Sequence, residues 1–413
     1  MKNKTLWPWN RKRATSEGEE IRFENPTNPY FDHVSNVYHS LFLISLAALL
    51  VFSAVAMLTH IDLLTYENLY YLAKDIGTAS NLFAGTEGVI NYETAERNRT
   101  FALYRGGLAV AGDSGLQLFT ATGRETLNAS PEYAAPVMKS SDSFLLVYDV
   151  GEKSYSLYNS FVCVRHEEFD YPVLGGAVSD SGAYVIVTQT YEHAGAVRVY
   201  TKNYELSTAY LRNQMVIDAD ISDTGKRVAF VTTASENGAY TSTLVIAVPG
   251  EQETMSEMPF EGAFPYSVRF IDERRLFLLC DNAAYVVSVD DGIVLRTVNF
   301  GNMKLSWADA NEQHTALLFT INAVTDTHRL IVTDKNGNLV IDSEFTSKVS
   351  RIAVYENDLY MLTENGVVRI HPETGEYVLV ECNTDGKDLL VCAEDEVLVC
   401  GGQSAAYYSI KFD

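Results

Sequence analysis

The sequence predicts an all-β protein, a β-propeller of about eight four-stranded blades preceded by one transmembrane helix. Three observations predict it. An uncharged apolar run lies near the amino end, a polar turn followed by a short apolar run recurs about every 40 residues, and tight hairpin turns separate the recurrences. A ring of seven blades is the alternative count.

The composition fits an exported acidic domain. Of the 413 residues, 47% are hydrophobic and 21% charged, so the chain can bury a sizeable core. The 54 acidic and 31 basic residues give a net charge of −23, which excludes a nucleic-acid partner because phosphates require a basic face. Residues 1–60 hold six basic and five acidic residues, whereas residues 61–413 hold 25 and 49. We therefore expect neutral or cationic partners.

The apolar run predicts a membrane anchor. Residues 41–58 read LFLISLAALLVFSAVAML, and no charged residue lies between 39 and 60. Eighteen helical residues span about 27 Å, close to the hydrocarbon thickness of a bilayer. A signal peptide cleaved near Ala54-Val55-Ala56 is the alternative. Basic residues stay on the cytoplasmic side, so we expect the amino terminus inside and the rest outside. The basic residues before the run are Lys2, Lys4, Arg11, Lys12, Arg13 and Arg22.

The sequence therefore predicts four segments. They are a mostly disordered cytoplasmic tail over 1–38, a transmembrane helix over 39–60, a stalk or linker over 61–80 and an extracytoplasmic propeller over 81–413. The expected localisation is the cell membrane, with a single pass.

Eight copies of a turn and an apolar run organise the propeller segment. Apolar runs without alternation are typical of strands covered on both faces. The turns open at Arg105, Ser140, Ser179, Ser222, Asp272, Asn311, Glu356 and Thr384. The runs that follow them are LAVA, FLLVY, AYVIVT, VAFVT, LFLLC, TALLFT, LYMLT and LLVC.

A further strand follows most runs, and its apolar residues alternate. In residues 197–200 and 367–370 this pattern predicts a half-exposed strand. Tight turns at 290–292, 334–338 and 372–375 then lead to an outer strand. The last unit lacks an outer strand, and Gly88–Glu93 has strand character with no other place. We therefore expect this segment to complete the last blade and close the ring.

SDSGAYVIVT and SDTGKRVAFVT resemble the WD-type and quinoprotein-type propeller repeats. The resemblance covers residues 100–412 in architecture, although the Trp-Asp dipeptide and the Trp-centred docking motif of quinone enzymes are absent. The chain also resembles membrane-anchored propellers of uncharacterised function of the Gram-positive bacterial type. This resemblance implies a fold and a location and no particular activity.

No catalytic or metal-binding motif is present in the sequence. It contains no G-x-S-x-G, no P-loop, no H-E-x-x-H and no C-x-x-C, so we assign no catalytic residue, no metal ligand and no cofactor. Asp334 opens a segment that resembles a calcium loop but lacks its final Glu, which favours a hairpin turn. Asp218 and Asp220 are expected on an inner strand near the central channel. The eight His residues, at 33, 39, 60, 166, 193, 314, 328 and 371, lack metal-like spacing.

The five cysteines are expected to be small buried core residues. Their odd number leaves at least one thiol free, and Cys392 and Cys400 fall on the two arms of one predicted hairpin. Their positions are 163, 280, 382, 392 and 400.

Three functions fit these features. The first is a binding or scaffold module for envelope proteins or a ligand, since propellers bind through loops at the channel mouth. The alternative is a propeller-fold enzyme, namely a hydrolase, a lyase or a quinone-dependent dehydrogenase, acting through channel-facing residues. A signalling receptor that uses the short tail is the third.

Overall fold

The computed structural model describes residues 37–51, 89–92, 99–113, 115–129, 133–159, 162–236, 238–382 and 386–412. The chain divides into two compact units, residues 1–77 and residues 78–413. A helix, α1 (37–51), belongs to the first unit, and all the described strands belong to the second.

Helix α1 covers the first part of the predicted transmembrane helix. Its residues are exposed along the whole length. Within the ranges that the structure describes, no helix is both long enough and apolar enough to cross a membrane. Residues 52–60 of the predicted span lie outside the described residues, as do most of the predicted tail and the 61–80 linker. The anchor and its cleaved alternative therefore stay predictions.

The second unit is an eight-bladed propeller, as predicted, and the strands of its first four blades follow in chain order. Blade 1 contains β2 (Thr100–Tyr104), β3 (Gly107–Gly112), β4 (Gly115–Phe119) and β5 (Glu125–Ala129). Blade 2 contains β6 (Pro136–Ser140), β7 (Leu145–Asp149), β8 (Ser154–Tyr158) and β9 (Cys163–Glu168). Blade 3 contains β10 (Val173–Val178), β11 (Tyr184–Thr188), β12 (Gly195–Tyr200) and β13 (Leu206–Arg212). Blade 4 contains β14 (Met215–Ile221), β15 (Val228–Glu236), β16 (Ala239–Ala247) and β17 (Thr254–Glu261).

The other four blades repeat this order, except that the last one uses a strand from the start of the domain. Blade 5 contains β18 (Pro265–Asp272), β19 (Arg275–Cys280), β20 (Ala283–Ser288) and β21 (Val294–Asn299). Blade 6 contains β22 (Lys304–Ala310), β23 (His314–Asn322), β24 (Thr327–Asp334) and β25 (Leu339–Thr346). Blade 7 contains β26 (Val349–Tyr355), β27 (Asp358–Thr363), β28 (Gly366–Ile370) and β29 (Tyr377–Val380). Blade 8 contains β30 (Asp388–Ala393), β31 (Glu396–Cys400), β32 (Ser404–Ser409) and β1 (Val89–Asn91).

The hydrophobic core lies between the blades. Eight apolar clusters occur among the described residues, and each joins two neighbouring sheets. One of them, for example, packs Val187 and Val199 of blade 3 against Phe230 of blade 4. The second strand of a blade is covered on both faces, which explains why its apolar residues do not alternate; β7 and β11 are buried throughout.

The third strands are more buried than their alternation predicts. We expected β12 and β28 to be half-exposed, yet five of the six residues of β12 are buried. In β28 the polar Arg369 is only 2% exposed. Neighbouring blades cover both faces of these strands, and Arg369 is buried because carboxylates of blades 7 and 8 bind it.

The eighth sequence repeat corresponds to a different strand of its blade than the other seven repeats do. The run LLVC forms part of β30, the innermost strand of blade 8, and not the second strand as in the other seven blades. The equivalent second strand is β31, which follows a turn at Glu394 and Asp395. Both strands of this hairpin are apolar, so hydrophobicity alone did not distinguish them.

The predicted ring closure is confirmed. Strand β1 pairs antiparallel with β32, in a register that sets Ile90 opposite Ala405, and occupies the outer position of blade 8. Ile90 is 1% exposed and packs with Phe101 of blade 1 and Leu398 of blade 8. The first strand of the domain therefore holds the two ends of the ring together.

We expect Ile90→Ala to destabilise the propeller by about 2–5 kcal/mol, because it removes a buried side chain from the closing strand. Urea unfolding of the full-length protein, followed by tryptophan fluorescence, measures this change. Val89→Ala is the matched control, since Val89 lies on the same strand and is 54% exposed. Equal and small effects of the two substitutions would contradict the role of β1 in the core.

Candidate functional site

The turns between the first and second strands of each blade, the AB turns, all lie on one face of the propeller because the strands alternate in direction. In blade 3 this turn is Ser179-Asp180-Ser181-Gly182. The Ser179 hydroxyl donates to Ala183 O at 2.9 Å, and Gly182 N donates to Ser179 O at 3.1 Å. These bonds make the turn rigid.

Glycine is required at the end of the turn. Gly225, the equivalent residue in blade 4, has φ of +71°, and a Cβ atom there would lie 2.5 Å from the Ser181 Oγ atom of blade 3. Only a residue without a side chain satisfies both the left-handed backbone and this close approach. The S-D-x-G motif therefore encodes contact between blades as well as a turn.

Hydrogen bonds connect the AB turns of consecutive blades across seven interfaces of the described ring. Each bond joins an AB turn, or a residue beside it, to the turn of the next blade. In order they are Tyr104 Oη to Ser143 O (2.7 Å), Asp142 N to Asp180 Oδ1 (2.7 Å), Ser181 N to Asp223 O (3.2 Å), Thr224 N to Glu273 Oε1 (2.9 Å), Arg275 Nη1 to Glu312 O (3.1 Å), Asn311 Nδ2 to Glu356 O (2.8 Å) and Tyr360 Oη to Glu394 O.

This arrangement brings one acidic residue per blade to the same face in blades 2–8. Most of these side chains are exposed, and blade 1 has Arg105 in its AB turn instead. The acidic residues are Asp142, Asp180, Asp223, Glu273, Glu312, Glu356 and Glu394. The sequence predicted these turns in blades 2–7, placed the eighth at Thr384 instead of Glu394, and did not reveal the shared acidity as a surface. Aligning the turns by their second strands would have found it.

A cavity of 460 Å³ opens among the AB turns of blades 1–4 and reaches blade 8. Its apolar lining includes Leu103, Val178 and Cys392. Its charged lining consists of Arg105 and three carboxylates, Asp142, Asp180 and Asp223. The volume is within the usual range for a binding pocket, and the chemistry suits a basic group beside an apolar one.

The carboxylates of this cavity repel one another. Burial and the neighbouring Asp180 charge raise the pKa of Asp142, whereas Arg105 lowers it. Burial raises the pKa of Asp223 as well, with further contributions from Asp180, Glu273 and Asp142. A cation that binds here would relieve this repulsion.

Charged residues also lie on the inner strands, where the sequence showed no charged residues at equivalent positions of several blades. A β-bulge in blades 3–7 aligns these strands, and the residues three positions after it are Ala177, Asp220, Arg269, Asp309 and Ala353. The alignment was invisible in the sequence because the inner strands share no motif.

Three of these equivalent residues bind the next blade. Asp220 Oδ2 accepts from Phe270 N at 2.7 Å, and Asp309 Oδ2 accepts from Val354 N at 2.8 Å. Arg269 lies between them and forms an ion pair with Asp309 at 2.8 Å. These side chains stabilise the ring.

Asp218 and Asp220 occupy the inner strand β14, as predicted. Asp218 Oδ2 accepts from Val268 N at 3.1 Å. Burial raises the pKa of Asp220 to about 6, while the Phe270 amide and the Lys139 charge oppose that rise. Their hydrogen bonds give both carboxylates a structural role.

The described histidines form no metal site. Within the part of the chain that the structure describes, no group of three or more His, Cys, Asp or Glu residues could hold a metal ion. His371 Nδ1 lies 2.7 Å from Asp358 Oδ1, and Asp358 also binds Arg369. Burial lowers the pKa of His314. The predicted hairpin turn at Asp334 is confirmed, since its carboxylate accepts from Asn338 N at 2.8 Å.

The cysteines are free thiols, and their burial differs from the expectation. Cys280 and Cys400 are buried, Cys382 and Cys392 are partly buried, and Cys163 is exposed on an outer strand. Cys392 and Cys400 lie on one hairpin, as predicted.

The comparisons with known proteins agree on the fold. A family model described as "Family of unknown function (DUF5711)" matches residues 81–394, and no curated protein matches. The computationally designed protein Ika8 is 11% identical over 78% of this chain and 98% of its own, with a TM-score of 0.57. BamB from Moraxella catarrhalis is 9% identical over 79% and 97%, with a TM-score of 0.52. The C-terminal WD40 domain of Sif2 is 16% identical over 76% of this chain and 81% of its own, with a TM-score of 0.49. Identities this low show the fold alone.

Asp220→Asn tests the inner-strand bonds. The raised pKa of Asp220 means that its protonated form is favoured on folding, so its contribution to stability is present in acid and is lost as the pH rises through about 6. Asparagine keeps the acceptor for Phe270 N and does not titrate. We expect the variant to gain up to about 3 kcal/mol relative to the wild type between pH 4 and 7.5.

Urea unfolding at several pH values measures this difference. Asp220→Ala is the control, because it leaves the Phe270 amide without its acceptor and should cost about 1–3 kcal/mol. A pH-independent difference between the wild type and the Asn variant would contradict the expectation.

Proposed function

The chain belongs to DUF5711, a family of unknown function, and we propose that its propeller is a protein-binding scaffold that an amino-terminal anchor holds outside the cell. The AB-turn face would bind a basic segment of a partner in the cell envelope. The observation that carries this proposal is that the AB turns of seven consecutive blades present acidic residues on one face, where three of them, Asp142, Asp180 and Asp223, line one cavity.

The geometry supports binding rather than catalysis. The AB turns are held by hydrogen bonds between blades, so the face is preorganised and loses little entropy when a partner binds. The 460 Å³ cavity offers apolar contacts at Leu103 and Val178 beside its carboxylates. Acidic surfaces attract basic segments from a distance and thereby increase association rates.

The outside location rests on the sequence. The basic residues precede the apolar run, and the acidic excess of residues 61–413 follows it. An acidic outer domain stays soluble, and partners of opposite charge would be favoured there.

The binding proposal is tested with a peptide of eight alternating lysine and leucine residues as the probe. The triple variant Asp142→Asn, Asp180→Asn and Asp223→Asn should weaken binding to the full-length protein about tenfold, because each lost charge contributes about 0.2–1 kcal/mol. The amide oxygen introduced by Asp180→Asn still accepts from the backbone N–H of residue 142, so the contact between blades 2 and 3 is kept. Isothermal titration calorimetry at two salt concentrations measures the affinity.

The matched control removes three charges from the opposite face, where Glu192, Glu261 and Glu364 are exposed. Changing these three to Gln should leave the affinity unchanged. Equal losses in the two triple variants would attribute binding to net charge alone, and no loss in either would exclude the AB-turn face.

The location is tested through Cys163, the exposed thiol. Burial raises its pKa, so labelling is carried out at pH 8.5. A membrane-impermeant maleimide should label the protein in intact cells, and Cys163→Ser should abolish most of the signal. In a Cys163→Ser background, Thr5→Cys should be labelled only after permeabilisation. Labelling of Thr5→Cys in intact cells would reverse the orientation.

A further inference from the structure

A second cavity, of 480 Å³, lies between blades 1 and 2. Its lining includes Asp113 after β3, Tyr133 before β6, and Ser156 and His166 on β8 and β9. The cavity is separate from the AB-turn face, because none of its lining residues belongs to an AB turn. Its volume lies in the range that accommodates a small organic ligand.

The inner wall of this cavity is a buried hydroxyl network. Ser156 is 3% exposed, and its Oγ atom lies 3.0 Å from His166 Nδ1. The hydroxyl oxygens of Tyr133 and Tyr158 lie 3.5 Å apart. His166 is exposed, and its second ring nitrogen has no hydrogen-bond partner among the described residues. This wall can therefore exchange hydrogen bonds with hydroxyl groups of a ligand.

The outer part of the lining is acidic and has no cationic counterpart. The Asp113 and Glu152 carboxylates, from blades 1 and 2, form no ion pair within the described part of the chain. Among the described residues, no lysine or arginine lines the cavity. Asp149 is the third carboxylate, and it is held in place by the amides of Ala134 and Ala135 at 2.7 and 3.1 Å. Two uncompensated carboxylates at one opening favour a ligand with a positive charge.

Hydrolysis at Ser156 does not fit this geometry. The buried carboxylate of the lining, Asp149, is occupied by two backbone amides and does not orient His166. Ser156 and His166 lie directly opposite each other on neighbouring strands, so their contact follows from the strand register. The cavity is therefore suited to binding a ligand.

We propose that this cavity binds a hydroxylated primary amine of the size of an amino sugar. The ammonium group compensates the Asp113 and Glu152 carboxylates, and the hydroxyls bond to the network of Ser156 and His166. A neutral sugar would leave the carboxylates uncompensated. A simple alkylamine would leave the hydroxyl network without a partner.

Three probes test the contributions of the amine and of the hydroxyl groups separately. Glucosamine carries both the amine and the hydroxyls, glucose only the hydroxyls, and Nα-acetyl-lysine amide only an amine. Titration calorimetry on the full-length protein should show glucosamine binding at least tenfold more tightly than either of the others. Equal affinity for glucosamine and glucose, or for glucosamine and the lysine amide, would overturn the proposal, as would no saturable binding of glucosamine.

Surface variants locate the site without risk to the fold. Glu152→Gln and Asp113→Asn should each weaken glucosamine binding about fivefold and leave glucose unaffected. Glu253→Gln, an exposed change on blade 4, is the control and should have no effect. Ser156→Ala should weaken glucosamine without affecting the lysine amide. Unchanged glucosamine affinity in both Glu152→Gln and Asp113→Asn would place the binding elsewhere and overturn the proposal.

A deacetylated glucosamine trimer distinguishes a free ligand from the end of a polymer. Tighter binding of the trimer supports a polymer source, and equal binding supports a free amino sugar. Both results require the amine, so both support the site. Binding of the trimer that survives in Glu152→Gln and Asp113→Asn would contradict it.

Discussion

The requirement that both faces of every blade be covered shapes the rest of this structure. A four-stranded sheet with an apolar second strand exposes hydrophobic surface on two sides, and each of the eight described clusters joins two neighbouring blades. No blade has a core of its own, so the row of blades has to close. Strand β1 closes it by pairing with β32, and Ile90 is buried against both ends of the ring. Closure also protects the sheet edges that open ends would expose.

Contacts at two levels then stabilise the ring. On one face, hydrogen bonds join consecutive AB turns at seven interfaces of the described ring, and between blades 3 and 4 the glycine of the S-D-x-G motif permits the close approach. Along the channel, Asp220, Arg269 and Asp309 occupy equivalent positions and bind the following blade. Because the neighbouring blade satisfies these polar groups, they stabilise one arrangement of the blades over others.

Charged residues that form contacts between blades also contribute to the candidate binding sites. An acidic residue in an AB turn can accept a backbone amide of the preceding blade, as Asp180 and Glu273 do. Seven such turns around one ring gather acidity on a single face, where burial and then mutual repulsion raise the pKa of Asp142 and Asp223. A cationic partner would lower that repulsion. The cavity between blades 1 and 2 has a different composition, since hydroxyl and imidazole groups line its inner wall.

The sequence by itself determined the blades, about eight in number, the AB turns of the first seven and the closing strand Gly88–Glu93. These features depend on local turn chemistry and on apolar runs, both of which are readable along the chain. It failed at the eighth repeat, because β30 and β31 are both apolar and only pairing tells them apart. It also misjudged Arg369, since carboxylates contributed by two blades are what make its burial stable.

Only the tertiary structure decided which residues meet. The acidic turns are far apart in the chain and become one surface when the ring closes. Ser156 and His166 meet through strand register, and Asp113 reaches the same cavity from another blade. A binding site of this kind is made by contacts between repeats. The sequence does not reveal it, because each repeat encodes its own strands but not the surface of its neighbour.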